Sequence, residues 1–139
     1  MLDLFAGTGN LSIESYSRGA ERVVAVEKSS KSVSIMKSNL EEFKISDEIK
    51  LYPMDVFSFL RNTDEKPFDI LLVDPPFTLK LADKVLTAIS ESKLCAPDAI
   101  IVIESTKHEP IADCYSNLKL IDRKDYGDKF LSFFKNEVD

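Results

Sequence analysis

Short apolar runs alternate with amphipathic stretches along most of the chain, and the alternation predicts strand and helix in turn. Met1 to Ala6 (MLDLFA) reads as the last part of a strand. Gly7-Thr8-Gly9 follows as a turn, and Asn10 to Arg18 predicts a helix closed by Gly19. Arg22 to Glu27 is a β-branched strand. Ser29 or Ser30 can cap the next helix, in which Val33, Met36, Leu40 and Phe43 recur at helical spacing. Ile49 to Met54 predicts a short strand, and Asp55 can cap a short helix carrying Phe59 and Leu60.

Phe68 to Val73 is the most apolar strand and runs into Asp74-Pro75-Pro76-Phe77. Leu81, Val85, Ala88 and Ile89 mark another amphipathic helix, and Ala99 to Glu104 a further buried strand. The style then changes: Leu118 to Tyr126 and Lys129 to Phe134 read as two strands about a Gly127-Asp128 turn. Near-continuous apolar strands alternating with helices imply an α/β fold, a mostly parallel sheet with helices on both faces. The C-terminal hairpin adds an antiparallel strand.

Length and composition narrow the class. The 139 residues carry no repeat or linker and suit a single domain. With 44% apolar and 30% charged residues, a disordered tail, a fibre and a disulfide scaffold are excluded. No apolar run approaches the ~18 residues of a membrane span and no signal peptide opens the chain, so a cytoplasmic protein without membrane partners is expected. Lys and Arg number 18 against 24 Asp and Glu, a net charge of −6. An acidic chain gains little from phosphate in bulk, so any nucleic-acid site must be local. Lys80, Lys84, Lys124 and Lys129 are the basic residues placed to matter. Cys95 and Cys114 form no CxxC pair and are expected to be buried reduced thiols. His108 is expected on a surface loop, which leaves no histidine-based metal site or triad, and no metal is expected.

The chemistry gathers at strand ends. In open parallel sheets ligands bind beyond the carboxyl ends of the strands, where strand order reverses. Four strands in succession end in an acid or pass into one: Asp3, Glu27, Asp55 and Asp74. Gly7 and Gly9 can bring backbone close to a ligand, but Ser12 holds the place of the third glycine of a dinucleotide fingerprint. Glu27 lies 18 residues after Gly9, a spacing that lets a carboxylate accept both hydroxyls of an adenosine ribose. Asp3 would oppose a pyrophosphate yet suits an ammonium or sulfonium, and S-adenosylmethionine carries both. Asp55 can accept from an adenine amine and the Val56 amide can donate to a ring nitrogen.

Asp74-Pro75-Pro76-Phe77 is the sharpest motif. The prolines fix the backbone and donate no N–H, so the Pro75 carbonyl can accept a hydrogen bond beside the Asp74 carboxylate. Two adjacent acceptors suit the exocyclic NH2 of a nucleobase and localise its lone pair for attack. Phe77 offers a face on which an extruded base can stack.

Asp3-Leu4-Phe5-Ala6-Gly7-Thr8-Gly9, Glu27, Asp55 and Asp74-Pro75-Pro76-Phe77 resemble motifs I to IV of Rossmann-like S-adenosylmethionine-dependent amino-methyltransferases. Ser17 to Ala20, Val26 to Lys28 and Phe68 to Phe77 give the resemblance a narrower focus. They are similar to the bacterial small-subunit rRNA guanine-N2 methyltransferases of the RsmD type. The resemblance runs nearly the whole length. It implies a Rossmann-like methyltransferase sandwich, with Asp74, Pro75, Pro76 and Phe77 catalytic. It implies S-adenosyl-L-methionine as cofactor, held by Asp3, Phe5, Ala6, Gly7, Gly9, Asn10, Glu27, Lys28, Asp55 and Val56.

Members of that family carry a basic hairpin and a helix before motif I that help hold RNA and cofactor. Met1 falls inside the expected first strand, so a methyltransferase domain over residues 1–139 with a shortened first strand is expected. The implied partner is rRNA or the small ribosomal subunit, and the implied state a monomer. Three alternatives stay open: a DNA adenine or cytosine amino-methyltransferase using the same motif IV chemistry, a dinucleotide-binding domain, and a non-catalytic binding domain. The reading predicts methyl transfer to an exocyclic base amine, in which alignment of nitrogen, methyl and sulfur contributes most.

Overall fold

The computed structural model describes residues 1–138. The parallel strands are β1 (Leu2–Leu4), β2 (Val23–Val26), β3 (Ile49–Tyr52), β4 (Phe68–Val73) and β5 (Cys95–Thr106). They alternate with α1 (Asn10–Ser17), α2 (Ser30–Glu42), α3 (Val56–Asn62) and α4 (Ala82–Glu91), and a 3-10 turn at Phe77–Leu79 follows β4. Three antiparallel strands finish the chain: β6 (Cys114–Tyr115), β7 (Leu118–Asp125) and β8 (Lys129–Asn136). All belong to one sheet in the order β3-β2-β1-β4-β5-β8-β7-β6. Strand order reverses at β1, whose three residues pair with β2 on one side and β4 on the other.

Period-two alternation decides what each strand residue meets. Leu2, Leu4, Leu71, Val73, Ile101 and Ile103 face the side covered by α3 and α4, where they bury Phe59, Val85, Leu86 and Ile89. Val23 and Ala25 face the other side and pack with Met36, Leu40 and Ile49 beneath α1 and α2. That second cover is uneven. Ile70 of β4 remains 46% exposed, and Leu72, Ile100, Val102 and Phe133 are only half-buried. Helices therefore lie on both faces, but on one they reach only the β1–β3 half of the sheet.

The elements follow the predicted order, with differences at their ends. Ser29 is the cap of α2, its side chain accepting from the Ser32 N–H at 3.3 Å. Phe43 is not part of the buried stripe. The helix stops at Glu42, and Phe43 is 60% exposed beside Lys44, whose φ of 60° turns the chain away. β5 begins at Cys95 rather than Ala99, because Pro97 and Asp98 are taken up in a register shift between the Phe68↔Cys95 and Ile70↔Ile100 pairs. The Asn136 amide secures this irregularity, donating to the Cys95 and Ala96 carbonyls at 3.2 and 3.0 Å. β6 is too short to leave a pattern. Its alternation turns Tyr115 inward and Cys114 outward, so Cys114 is exposed rather than buried. Both cysteines are free, and burial pushes the Cys95 thiol up to about 11. His108 is exposed.

Candidate active site

The site lies where β1 and β4 end, on either side of the order reversal. β1 stops at Leu4 and the chain turns at once: Phe5 adopts φ 64°, a left-handed conformation costly for a side chain with a Cβ. The turn is held from β2, whose Val26 carbonyl accepts from the Ala6 N–H at 3.0 Å. Glu27 fixes the next step. One carboxylate oxygen accepts from the Gly7 N–H at 2.8 Å and the other from the Ser29 N–H at 2.9 Å. The two glycines differ in what they require. At Gly9 (φ 90°) a Cβ would stand 2.7 Å from Met36 Cγ, so this glycine lets α1 start against α2. At Gly7 (φ 60°) a Cβ would meet nothing within 4 Å. α1 begins without a side-chain cap.

Asp3 alternates with Leu2 and Leu4 and so points to the α1 side, where the Ser12 hydroxyl donates to Oδ2 at 2.6 Å. This explains Ser12 at the third-glycine position: it is fully buried and serves Asp3. Asp3 is itself buried, and that burial pushes its carboxyl up to about 6, against the pull of the Ser12 hydrogen bond. The charges acting on it, Asp74 and Glu27, are both negative. Among the described residues no cation is paired with this buried carboxylate under the glycine loop, and a buried charge without a partner favours its neutral form.

A cleft of about 410 Å³ opens in front of these strand ends. Phe5, Glu27, Lys28, Asp55, Val56, Asp74, Pro75, Pro76 and Phe77 of the sequence-derived set line it, with Phe57, Leu79 and Leu81 in addition. Asp3, Ala6, Gly7, Gly9 and Asn10 do not; Asp3 lies beneath the loop, while Gly7 and Gly9 shape it through the backbone. Asp55 has two places at once: Oδ2 caps α3 through the Ser58 N–H at 2.9 Å, and the residue faces the cleft. One end of the cleft thus combines the carboxylates of Glu27 and Asp55 with the apolar Phe5, Val56 and Phe57. Hydroxyl and amine donors on a flat apolar ring system fit that set, as an adenosine provides.

The other end is the Asp74-Pro75-Pro76-Phe77 turn. Pro75 is buried, and its carbonyl accepts no hydrogen bond from the described residues. Pro76 is the entry to the 3-10 turn that carries Phe77, and Lys80 at φ 50° ends it. Partial burial raises the Asp74 carboxyl to about 6; the neighbouring Glu104 carboxylate adds to the rise and Lys129 opposes it. Lys129 reaches both members of this corner, with Nζ 3.4 Å from Glu104 Oε1 and 4.0 Å from the centre of the Phe77 ring.

Glu104, which closes the strand expected over Ala99 to Glu104 although β5 itself runs on to Thr106, is not among the acids singled out above. Its neighbourhood with Asp74 follows from the parallel register, in which Val73 pairs with Ile103. Of the four lysines noted from sequence, Lys129 stands at the site. Lys84 lies 6.0 Å from the Phe57 ring, Lys124 lies 5.9 Å from that of Phe133, and Lys80 is exposed. Among the described residues no His, Cys, Asp and Glu cluster could hold a metal ion, and no helix is long and apolar enough to cross a membrane.

The family model described as Conserved hypothetical protein 95 matches residues 1–135. Ribosomal RNA small subunit methyltransferase D of Haemophilus influenzae is 33% identical over 112 residues, 79% of this chain and 58% of that protein. The chain belongs to this methyltransferase D family. The Escherichia coli member is 26% identical over 137 residues, covering 99% of this chain and 68% of its own length. The chain thus spans little more than half the length of the Haemophilus relative. Among solved structures, a conserved hypothetical protein of Streptococcus pyogenes superposes with a TM-score of 0.87 at 29% identity, covering 98% of this chain and 84% of its own. The family shares with this chain the α/β methyltransferase fold: a mostly parallel sheet ending in an antiparallel hairpin.

Proposed function

We propose that this chain methylates the exocyclic amine of a nucleobase, guanine N2 in small-subunit rRNA, with S-adenosyl-L-methionine as donor. The observation that carries the reading is the joining of two half-sites in one cleft. Glu27, Asp55 and Val56 line its nucleoside end, and Asp74, Pro75 and Phe77 its base end. Bound S-adenosylmethionine supplies a methyl group on a sulfonium: the nitrogen–carbon bond forms as the carbon–sulfur bond breaks, the electron pair returns to sulfur, and the nitrogen loses a proton.

The chain's own residues work by position. Asp3, buried without a cation, answers the positive charge of the methionine part through the glycine loop. Glu27 accepts ribose hydroxyls, a role compatible with its hold on the Gly7 and Ser29 amides, since a carboxylate offers about four lone-pair sites. Asp55 and the Val56 amide meet the adenine, while Phe5, Ala6, Gly9, Asn10 and Lys28 shape or flank its bed. Asp74 and the Pro75 carbonyl orient the two amine hydrogens, Pro76 sets the turn, and Phe77 stacks on the base. Positioned reactants of this kind contribute roughly 7–11 kcal/mol of barrier lowering.

The test is two-stage. Calorimetry with S-adenosylhomocysteine is expected to give one-to-one binding. Tritium transfer is then compared on naked rRNA, assembled small subunits and duplex DNA, with the product identified by mass spectrometry. N2-methylguanine in the small-subunit rRNA supports the reading. Transfer to DNA alone, or cofactor binding with no transfer to any of the three, would overturn it.

A further inference from the structure

Resting on that reading, we propose that Glu104 selects the target base, adding a third acceptor beside Asp74 and the Pro75 carbonyl to match the adjacent N1–H and N2–H2 donors of guanine. β4 and β5 run parallel with Val73 opposite Ile103, so Asp74, the first residue past β4, comes beside Glu104, which is still within β5 and paired with Leu131 of β8. After partial burial, Glu104 is the neighbour that most raises the Asp74 carboxyl, as a second carboxylate placed beside it by the register must. Lys129 Nζ stands 3.4 Å from Glu104 Oε1 and gives that carboxylate an opposite charge on the same corner. The same ammonium rests against the Phe77 ring, which ties Glu104 to the residue offered for stacking.

Two carboxylates held together need donors between them. Guanine alone among the amino-bearing bases places a ring N–H next to its amine. In adenine and cytosine the ring nitrogen beside the amine is an acceptor, and its lone pair would face the Glu104 carboxylate. A site built to accept a hydrogen bond rejects an analogue that lacks the donor, because its own polar group is left unpaired. Asp74-Pro75-Pro76-Phe77 addresses any amine; Glu104 supplies the discrimination that motif lacks. The pair also explains why the partners gather at this corner rather than elsewhere along β5. Lys129 comes from the last hairpin, and its register opposite Thr106 brings it beside Glu104.

The experiment uses small subunits reconstituted with rRNA carrying either guanine or 2-aminopurine at the methylated position. 2-Aminopurine keeps the N2 amine and replaces the N1–H by a lone pair. The wild-type chain is expected to prefer guanine by about 100-fold or more in kcat/KM. Glu104→Gln, whose amide can turn a donor to the ring nitrogen, is expected to shrink that preference by about 10-fold or more. S-Adenosylhomocysteine affinity should stay unchanged in the variant.

Equal methylation of both bases by the wild type would overturn the proposal without any variant. So would a Glu104→Gln protein that binds S-adenosylhomocysteine normally and keeps the full wild-type preference. If the variant does not fold, the wild-type comparison still decides. Absence of transfer to the guanine subunit marks a different failure, that of methyl transfer itself, and the selectivity assignment falls with it.

Discussion

The ammonium of Lys129 rests 4.0 Å from the centre of the Phe77 ring, joining the tip of the C-terminal hairpin to the turn after β4. Phe77 sits on a 3-10 turn and is 38% exposed. A cation on one face leaves the opposite face for a base. Cation–π contacts at exposed sites are worth about 0.5–1 kcal/mol. Lys129→Met should therefore lower kcat/KM about 3- to 5-fold and leave the thermal midpoint nearly unmoved, whereas Lys129→Arg should stay close to wild type. Steady-state kinetics beside a melting curve checks both; a large loss of stability in Lys129→Met would mean the contact serves folding instead.

Asp74 accepts most strongly from an amine, and stabilises the positive charge the nitrogen gains, when it is ionised, and its carboxyl is raised to about 6. Turnover at saturating cofactor should be flat above pH 7 and fall about tenfold per pH unit once well below 6. Asp74→Asn keeps an acceptor but loses the charge, and should cost about 10²-fold in kcat while S-adenosylhomocysteine binding persists. A pH–rate profile that continues level to pH 5 would remove Asp74 from this role.

Asp3 carries the opposite signature, visible in stability. Its folded carboxyl titrates near 6 against 3.8 when free, because burial disfavours the charge. The folded state therefore holds the proton more tightly than the unfolded state. The associated stabilisation is complete below about pH 4 and is lost as pH rises through 6. Asp3→Asn should thus gain on the order of 2–3 kcal/mol over wild type at pH 8 and nothing at pH 3.5, as read by urea denaturation. The same substitution should weaken S-adenosylhomocysteine binding, since the ammonium of the ligand loses its counter-charge. In the wild type, affinity should rise as pH increases through 6.

The glycine loop offers a paired comparison. Gly9→Ala puts a methyl 2.7 Å from Met36 Cγ in a backbone at φ 90°. Crowding and left-handed backbone together should destabilise the fold by about 2–4 kcal/mol. Gly7→Ala meets open space at φ 60° and should cost only about 1–2 kcal/mol, for the backbone alone. Urea denaturation of the two variants, side by side, tests whether Gly9 is there for helix packing.

What could be read from the sequence was whatever repeats. Continuous apolar strands, helical spacing and capping residues identify every parallel strand and every helix, because burial of a whole face leaves a periodic trace. Features set by a single residue leave none. Phe43 continues the spacing of Val33, Met36 and Leu40 but falls one residue past the helix end. Pro97 and Asp98 stand just before the strand expected from Ala99, yet β5 absorbs them as an irregularity. Cys114 faces out because a two-residue strand is too short to show alternation. Within the site, acids at strand ends and the Pro-Pro turn were legible because their chemistry is local. The union of Asp74, Glu104, Lys129 and Phe77 was not. It depends on the pairing of β5 with β4 and of β8 with β5, which joins residues distant in the chain.

That pairing has a further consequence for how the molecule comes into being. β8 follows the seven other strands of the sheet in the chain, yet it is inserted between β5 and β7 and places Phe134, fully buried, in the main core. While a nascent chain still lacks β8, the flank of β5 is unpaired and the core has a gap the size of a phenyl ring. Because chains emerge N-terminus first, the glycine loop and the Pro-Pro turn are exposed to the cell before Lys129 arrives to steady Phe77. The corner at Phe77 is therefore completed only once β8 has been made, and a ribosome that stalls short of β8 releases a polypeptide with the glycine loop and the Pro-Pro turn but without Lys129 beside Phe77.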